Sequence, residues 1–161
     1  SPTEAAARVA AFSAPPGRGQ IHRLARGVLV VDDSYNANPL AVKTALRAVA
    51  GDRRLGRRVA VLGEMLELGR RAEALHRDTG RAAAAAGFGL LVTVGGAFAK
   101  ALGEAAVEAG LAADSVKHYD DSNAAATSLA GLLRNDDLVL IKGSRGVQTD
   151  RVVNRGVGEW A

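Results

Sequence analysis

Two adjacent acids, Asp32 and Asp33, close the apolar run Val28-Leu29-Val30-Val31 and open the polar stretch Ser34-Tyr35-Asn36-Ala37-Asn38-Pro39. An acid at the carboxyl end of a strand in a nucleotide-binding sheet accepts hydrogen bonds from ribose hydroxyls. The same acid ahead of a helix can serve only to stabilise the helix N-terminus through its dipole. The residue types leave both readings open. A second stretch, Lys142-Gly143-Ser144-Arg145-Gly146, follows Leu138-Val139-Leu140-Ile141. Its two glycines let backbone N–H groups approach an anion, and Lys142 and Arg145 supply charge, which suits a phosphate or a carboxylate. A tight strand–helix turn would use the same residues. No G-x-x-x-x-G-K-[ST] loop occurs in the chain, so this is not a Walker A site.

Other candidates are weaker. Glu64 and Glu67 fall in a loop or first helical turn and His76 two turns into a helix, which is poor spacing for a metal. His76 reads as a packing or surface histidine, and no metal site is expected. Gly95-Gly96-Ala97-Phe98-Ala99-Lys100 lacks the full G-x-G-x-x-G and reads as a helix start. A phospho-acceptor receiver domain also begins with two acids and ends with a late lysine. Here the strand Arg58–Leu62 runs into Gly63-Glu64, with no aspartate to be phosphorylated.

These loops need a frame that brings them together. Val28–Val31, Arg58–Gly63, Leu90–Val94, Val116–Tyr119 and Asp137–Lys142 read as strands. Helices are expected at 40–50, 70–86, from Gly96 to 109, at 122–133 and at 149–157. Asn38-Pro39 suits the cap and first position of the helix it opens. A short edge strand at 18–24 would return through a turn at Ala25-Arg26-Gly27. Strands alternating with helices predict an α/β fold, a doubly wound, mostly parallel sheet. Loops at the strand carboxyl ends then share one edge, where ligands bind. Thr3–Ala10 reads as an Ala-rich helix ended by Ser13-Ala14-Pro15-Pro16-Gly17, a linker.

The totals set bounds. At 161 residues one domain is expected, large enough to bury about two-thirds of its unfolded surface. There is no cysteine, so disulfides and thiolate metal sites are excluded. No apolar run approaches the roughly 20 residues of a membrane span. The net charge is +4, from 21 basic and 17 acidic residues. The clusters Arg53-Arg54, Arg57-Arg58 and Arg70-Arg71 read as solvated turns. With one Trp, two Tyr and three Phe, stacking on single-stranded nucleic acid is not expected. The chain opens Ser1-Pro2-Thr3-Glu4, without Met, which predicts a segment of a longer protein.

Asp32-Asp33-Ser34-Tyr35-Asn36-Ala37-Asn38-Pro39, then Val61-Leu62-Gly63-Glu64-Met65-Leu66-Glu67-Leu68-Gly69 with His76, then Leu140-Ile141-Lys142-Gly143-Ser144-Arg145-Gly146 resemble the Mur ligase family in order and spacing. The similarity is to the C-terminal domain, in the branch that adds D-alanyl-D-alanine, and runs from Gly17-Arg18 to the last helix. It implies a Rossmann-like domain of an ATP-dependent ligase of cytoplasmic peptidoglycan synthesis. In that reaction ATP phosphorylates the carboxylate of UDP-MurNAc-tripeptide, and the amine of D-Ala-D-Ala attacks the acyl phosphate. The family has an N-terminal domain for the UDP-sugar, a central one with the P-loop and Mg2+ ligands, and a C-terminal one that closes over ATP.

By motif position the resemblance implies that Arg18 reaches the ATP phosphates and Asp33 holds the ribose hydroxyls. Tyr35, Asn36 and Asn38 would line the same nucleotide edge. Lys142, Ser144 and Arg145 would face the dipeptide, with Arg145 on its carboxylate. Residues 1–16 would be the tail of the preceding domain and the linker, and 17–161 the ligase domain. No catalytic residue is expected on this chain alone, and no turnover by it. Two other readings stay open: a ligase of the superfamily adding a different amino acid, or glutamate to folate, and a stand-alone non-catalytic ligand-binding module.

Overall fold

Every residue of Leu138–Lys142 is buried, because this last strand (β6) lies in the interior of the sheet rather than at its end. The computed structural model describes residues 14–53 and 56–160. The Ala-rich helix and Arg54 lie outside the described residues. The remaining strands are Gln20–Arg23 (β1), Leu29–Asp33 (β2), Arg58–Gly63 (β3), Leu90–Val94 (β4) and Val116–Tyr119 (β5). Their order in the sheet is β1-β2-β6-β3-β4-β5. β1 runs antiparallel to β2, and every other pairing is parallel.

Five α-helices are described: Pro39–Ala50 (α1), Ala72–Ala85 (α2), Ala97–Glu108 (α3), Ser122–Leu132 (α4) and Asp150–Trp160 (α5). Side chains of a strand alternate between faces, and the two cores sort accordingly. Ala60, Leu62, Leu91 and Leu140 meet α1, α2 and α3 through Leu46, Ala83 and Leu102. Val59, Val61, Val92 and Ile141 meet α4 and α5 through Ala125, Leu129, Val152 and Val153. The doubly wound, mostly parallel α/β sheet is therefore the observed fold.

Connections through α1, α2 and α3 all step one way across the sheet. The connection through α4 steps back, which under a common handedness requires the opposite face. That reversal places β6 between β2 and β3, with β2 and β3 sending their chains to one face and β6 to the other. Such a switch point opens a crevice at the strand carboxyl ends.

Three boundaries differ from expectation for identifiable reasons. β2 continues through Asp32 and Asp33 because each pairs in register with β6, opposite Ile141 and Lys142. The second long helix begins at Ala72, since Gly69–Arg71 forms a 3-10 turn with Gly69 at φ +57°. β6 begins at Leu138 because the Asp137 carboxylate is taken by Arg57 and by the Arg134 N–H. Arg57 is thus paired with a buried carboxylate and is not a solvated turn. Among the described residues no helix is long and apolar enough to cross a membrane.

Candidate functional site

Parallel pairing carries Asp33 and Lys142 to the ends of adjacent strands, directly opposite one another. Lys142 Nζ donates to Asp33 Oδ2 at 2.6 Å and to the Asn36 carbonyl at 2.9 Å. The lysine is buried while the Asp33 side chain stays 28% exposed. An open groove of about 450 Å3 runs from Asp33 along α1, past Asn38, Leu40 and Thr44. Leu40 is 72% exposed there, an apolar wall beside a carboxylate.

Asp32 points the other way and is buried. Its Oδ1 accepts from the Ser34 N–H and hydroxyl, an Asx turn that bends the chain out of β2. Its Oδ2 accepts the Gly17 N–H at 3.1 Å. The Tyr35 N–H in turn donates to the Gly17 carbonyl at 3.0 Å. Gly17 sits at φ +71°, and a Cβ there would lie 3.0 Å from the Tyr35 nitrogen. Arg18 follows at once, its guanidinium 4.1 Å above the Tyr35 ring centre, with Arg145 5.2 Å from the same centre. Both are within cation–π range, and neither makes an ion pair among the described residues. A cleft of about 280 Å3 lies between this linker corner and α5, lined by Gly17, Tyr35, Arg145, Gln148 and Asn154 among others.

Ser144 ties three loops together. Its hydroxyl accepts the Leu66 N–H at 2.9 Å and donates to the Ala37 carbonyl at 3.3 Å, and its N–H donates to the Glu64 carbonyl at 3.3 Å. The glycines beside it are there for packing. A Cβ on Gly143 would lie 3.0 Å from the Gly63 Cα and 2.7 Å from Thr149 Cγ2, and one on Gly146 would meet Leu66 Cδ1 at 2.8 Å. The N–H groups of Ser144, Val147 and Gln148 are engaged by the carbonyls of Glu64, Ser144 and Arg145. The backbone cradle that the glycines suggested is therefore largely filled from within.

His76 is wholly buried. Its Nε2 accepts the Met65 N–H at 2.9 Å and its Nδ1 donates to the Ala72 carbonyl at 2.7 Å, which fixes a neutral ring with the proton on Nδ1. It stacks on Phe98. Glu64 accepts the Gly96 N–H at 2.7 Å, joining the β3 loop to the start of α3. Among the described residues no group of three or more metal-ligating side chains occurs. Beyond the Ser144 knot a second cleft of about 300 Å3 lies between Glu64, Gly96, Asp120, Ser122, Gln148 and Arg151. It holds three carboxylates, Glu64, Asp120 and Asp121, and one guanidinium.

Of the residues singled out in the sequence, Arg18, Asp33, Tyr35, Asn36, Asn38 and Arg145 reach open space, Asn38 along the groove itself. Asn38 caps α1 by accepting the Ala41 N–H at 2.9 Å, and Asn36 accepts the Ala37 N–H. Lys142 and Ser144 face inward. Gly17, Gln148 and Arg151 were not legible as site residues. Only the Pro-Pro-Gly punctuation hinted at the first, and no local pattern marks the other two.

Fold and site together define a Rossmann-like α/β domain whose polar edge carries a groove and two clefts. The chain belongs to the Mur ligase family: the model of the Mur ligase, glutamate ligase domain matches residues 17–145. The UDP-N-acetylmuramoyl-tripeptide–D-alanyl-D-alanine ligase of Escherichia coli is 36% identical over 149 residues, covering 91% of this chain. Among solved structures, the MurF ligase from Thermotoga maritima in complex with ADP superposes with a TM-score of 0.75 at 30% identity over 93% of this chain. MurF from Acinetobacter baumannii gives 0.79 at 27% over 91%. The chain spans about a third of the length of these relatives, 31% and 32%.

Proposed function

We propose that this chain, with residues 17–161 as the folded unit and 1–16 as linker and preceding tail, is the C-terminal domain of an ATP-dependent amide ligase. The whole enzyme would add D-alanyl-D-alanine to UDP-MurNAc-tripeptide through an acyl phosphate, in the cytoplasm. The observation that carries the reading is Asp33 at the switch point. It is a partly exposed carboxylate, anchored by Lys142, at the head of a groove with an apolar wall. That acceptor and its apolar wall fit a nucleoside, with the carboxylate for the ribose hydroxyls and Leu40 for the base. Arg18, free of ion pairs among the described residues and lying over Tyr35, fits the phosphates.

ATP supplies the phosphoryl group that activates the tripeptide carboxylate. Asp33 orients the ribose, and Arg18 compensates phosphate charge. Tyr35, Asn36 and Asn38 line the nucleotide edge, and the two asparagines also hold the shape of its loop by accepting the Ala37 and Ala41 N–H groups. On the acceptor side Ser144 and Lys142 fix the loop, while Arg145 stands at its mouth for the dipeptide carboxylate. Mg2+ would be held by the central domain, which with the N-terminal domain and the two substrates completes the set of partners. No turnover is expected from this chain alone.

An amide chemical-shift titration tests the reading. ADP should move Arg18 and Asp33–Asn38, and D-Ala-D-Ala should move the residues around Arg145. In the full-length ligase, Asp33→Ala should raise the KM for ATP by about tenfold or more, the worth of hydrogen bonds to a charged group. Absence of ADP shifts in the full-length enzyme would overturn it.

A further inference from the structure

We infer that Asp32 is a positioning residue for nucleotide binding, acting on Arg18 by gripping the linker at Gly17. This rests on the reading of Arg18 as a phosphate ligand. An arginine on a flexible linker would lose several rotatable bonds and its backbone freedom on binding a phosphate, a cost that pre-ordering removes. Here the backbone on both sides of Arg18 is held before any ligand arrives. The Gly17 N–H donates to Asp32 Oδ2 at 3.1 Å, and the Gly19 N–H donates to the Asp32 main-chain carbonyl at 2.7 Å. The Gly17 carbonyl accepts from the Tyr35 N–H. Asp32 is itself locked by the Ser34 N–H at 3.1 Å and the Ser34 hydroxyl at 2.5 Å. His22 Nε2, 3.8 Å from Asp32 Oδ2, borders the same carboxylate.

The geometry gives the two neighbouring acids separate tasks. Asp33 presents an exposed carboxylate to the groove. Asp32, with both oxygens occupied by the chain itself, cannot take a ligand without releasing the linker. Gly17 is part of the device, since its positive φ and its approach to Tyr35 leave no room for a side chain. Arg18 then lies on Tyr35 as a consequence of where Gly17 is held. The linker therefore moves with this domain from Gly17 onward, and any hinge to a preceding domain lies before it.

A double-mutant cycle in the full-length ligase tests this, reading the KM for ATP, the KM for D-Ala-D-Ala and kcat separately. Arg18→Ala should raise the KM for ATP by about tenfold. Asp32→Asn keeps the acceptor for Ser34 but turns an NH2 toward the Gly17 N–H. It should raise the KM for ATP several-fold, with the dipeptide KM unmoved. In the Arg18→Ala background the same Asp32→Asn change should add nothing. Gly17→Ala attacks the grip from the linker side and should behave likewise, which covers the case in which Asp32→Asn fails to fold. Additive effects of Asp32→Asn and Arg18→Ala would overturn the latch while leaving Arg18 a phosphate ligand. No effect of Arg18→Ala on ATP would overturn the reading of Arg18, and the latch's role with it.

Discussion

Lys142 Nζ lies 2.6 Å from Asp33 Oδ2, so a lysine expected on the dipeptide and an acid expected on the ribose are one ion pair. Both are at strand ends, in register across β2 and β6. The lysine is buried and the acid is the exposed member. A buried cation whose partner is removed pays its desolvation without compensation. Under the proposed function, Lys142 aims and holds Asp33, and bears on the dipeptide only through the loop it closes. Lys142→Met should therefore weaken ADP binding to the full-length ligase more than D-Ala-D-Ala binding. Calorimetric titration with each ligand measures this, and a selective loss of dipeptide affinity would reverse the assignment.

Ser144 predicts a stability effect. Its hydroxyl serves the Leu66 N–H and the Ala37 carbonyl in a buried position. Ser144→Ala leaves the Leu66 N–H without its acceptor, at about 1–3 kcal/mol. For a domain of this size each kcal/mol shifts Tm by about 2–4 °C. Thermal unfolding of the isolated chain should show the loss, and an unchanged Tm would mean that the three loops are held otherwise.

The glycines predict opposite signs at two positions. Gly143→Ala drives a Cβ onto Thr149 and the Gly63 backbone, overpacking that costs about 1–3 kcal/mol. Gly131→Ala, in α4 with nothing within 4 Å, should stabilise by about 0.4–1 kcal/mol through the unfolded chain and helix propensity. Denaturant unfolding of the two variants side by side checks both.

How much of this was readable in the sequence follows from the range of the forces involved. The runs Val59–Leu62, Leu90–Val94 and Leu138–Ile141, apolar but for Thr93, announced buried parallel strands because a strand covered on both faces is nearly continuous in apolar residues. Asn38-Pro39 announced the start of α1 because capping is a local matter. The position of β6 between β2 and β3 is a non-local outcome of the reversal through α4, and nothing near Leu138 encodes it. For the same reason the motif Lys142-Gly143-Ser144-Arg145-Gly146 was legible as chemistry but not in its direction. Its glycines answer to Gly63 and Leu66, and its lysine to Asp33, all remote in sequence. The basic cluster misled for Arg57, whose partner Asp137 is equally remote.

His76 offers a way to separate packing from hydrogen bonding. Its Nε2 is the acceptor for the Met65 N–H, while its ring fills a wholly buried site against Phe98. His76→Leu keeps most of the volume but orphans the Met65 N–H, at about 1–3 kcal/mol. His76→Gln retains an acceptor of similar reach. Thermal unfolding should rank Gln above Leu. The reverse order would show that the apolar contact, rather than the bond to Met65, sets the β3 loop.

The Lys43–Asp78 pair joins α1 to α2 at the surface and gives a pH prediction. The hydrogen bond from Lys43, followed by its charge, holds the Asp78 carboxyl below its ordinary value. A depressed carboxylate stabilises the fold above the pKa it has in the unfolded chain, and that contribution disappears as pH falls through its folded value. With Asp78 half exposed, the pair is worth about 0.2–1 kcal/mol and is screened by salt. Asp78→Asn should therefore lower Tm slightly at neutral pH and low salt. The gap to the parent chain should close as pH drops below the normal range of aspartate titration, and narrow at high salt at any pH. A gap that persists in acid would assign the effect to helix propensity or packing at position 78 instead of to the ion pair.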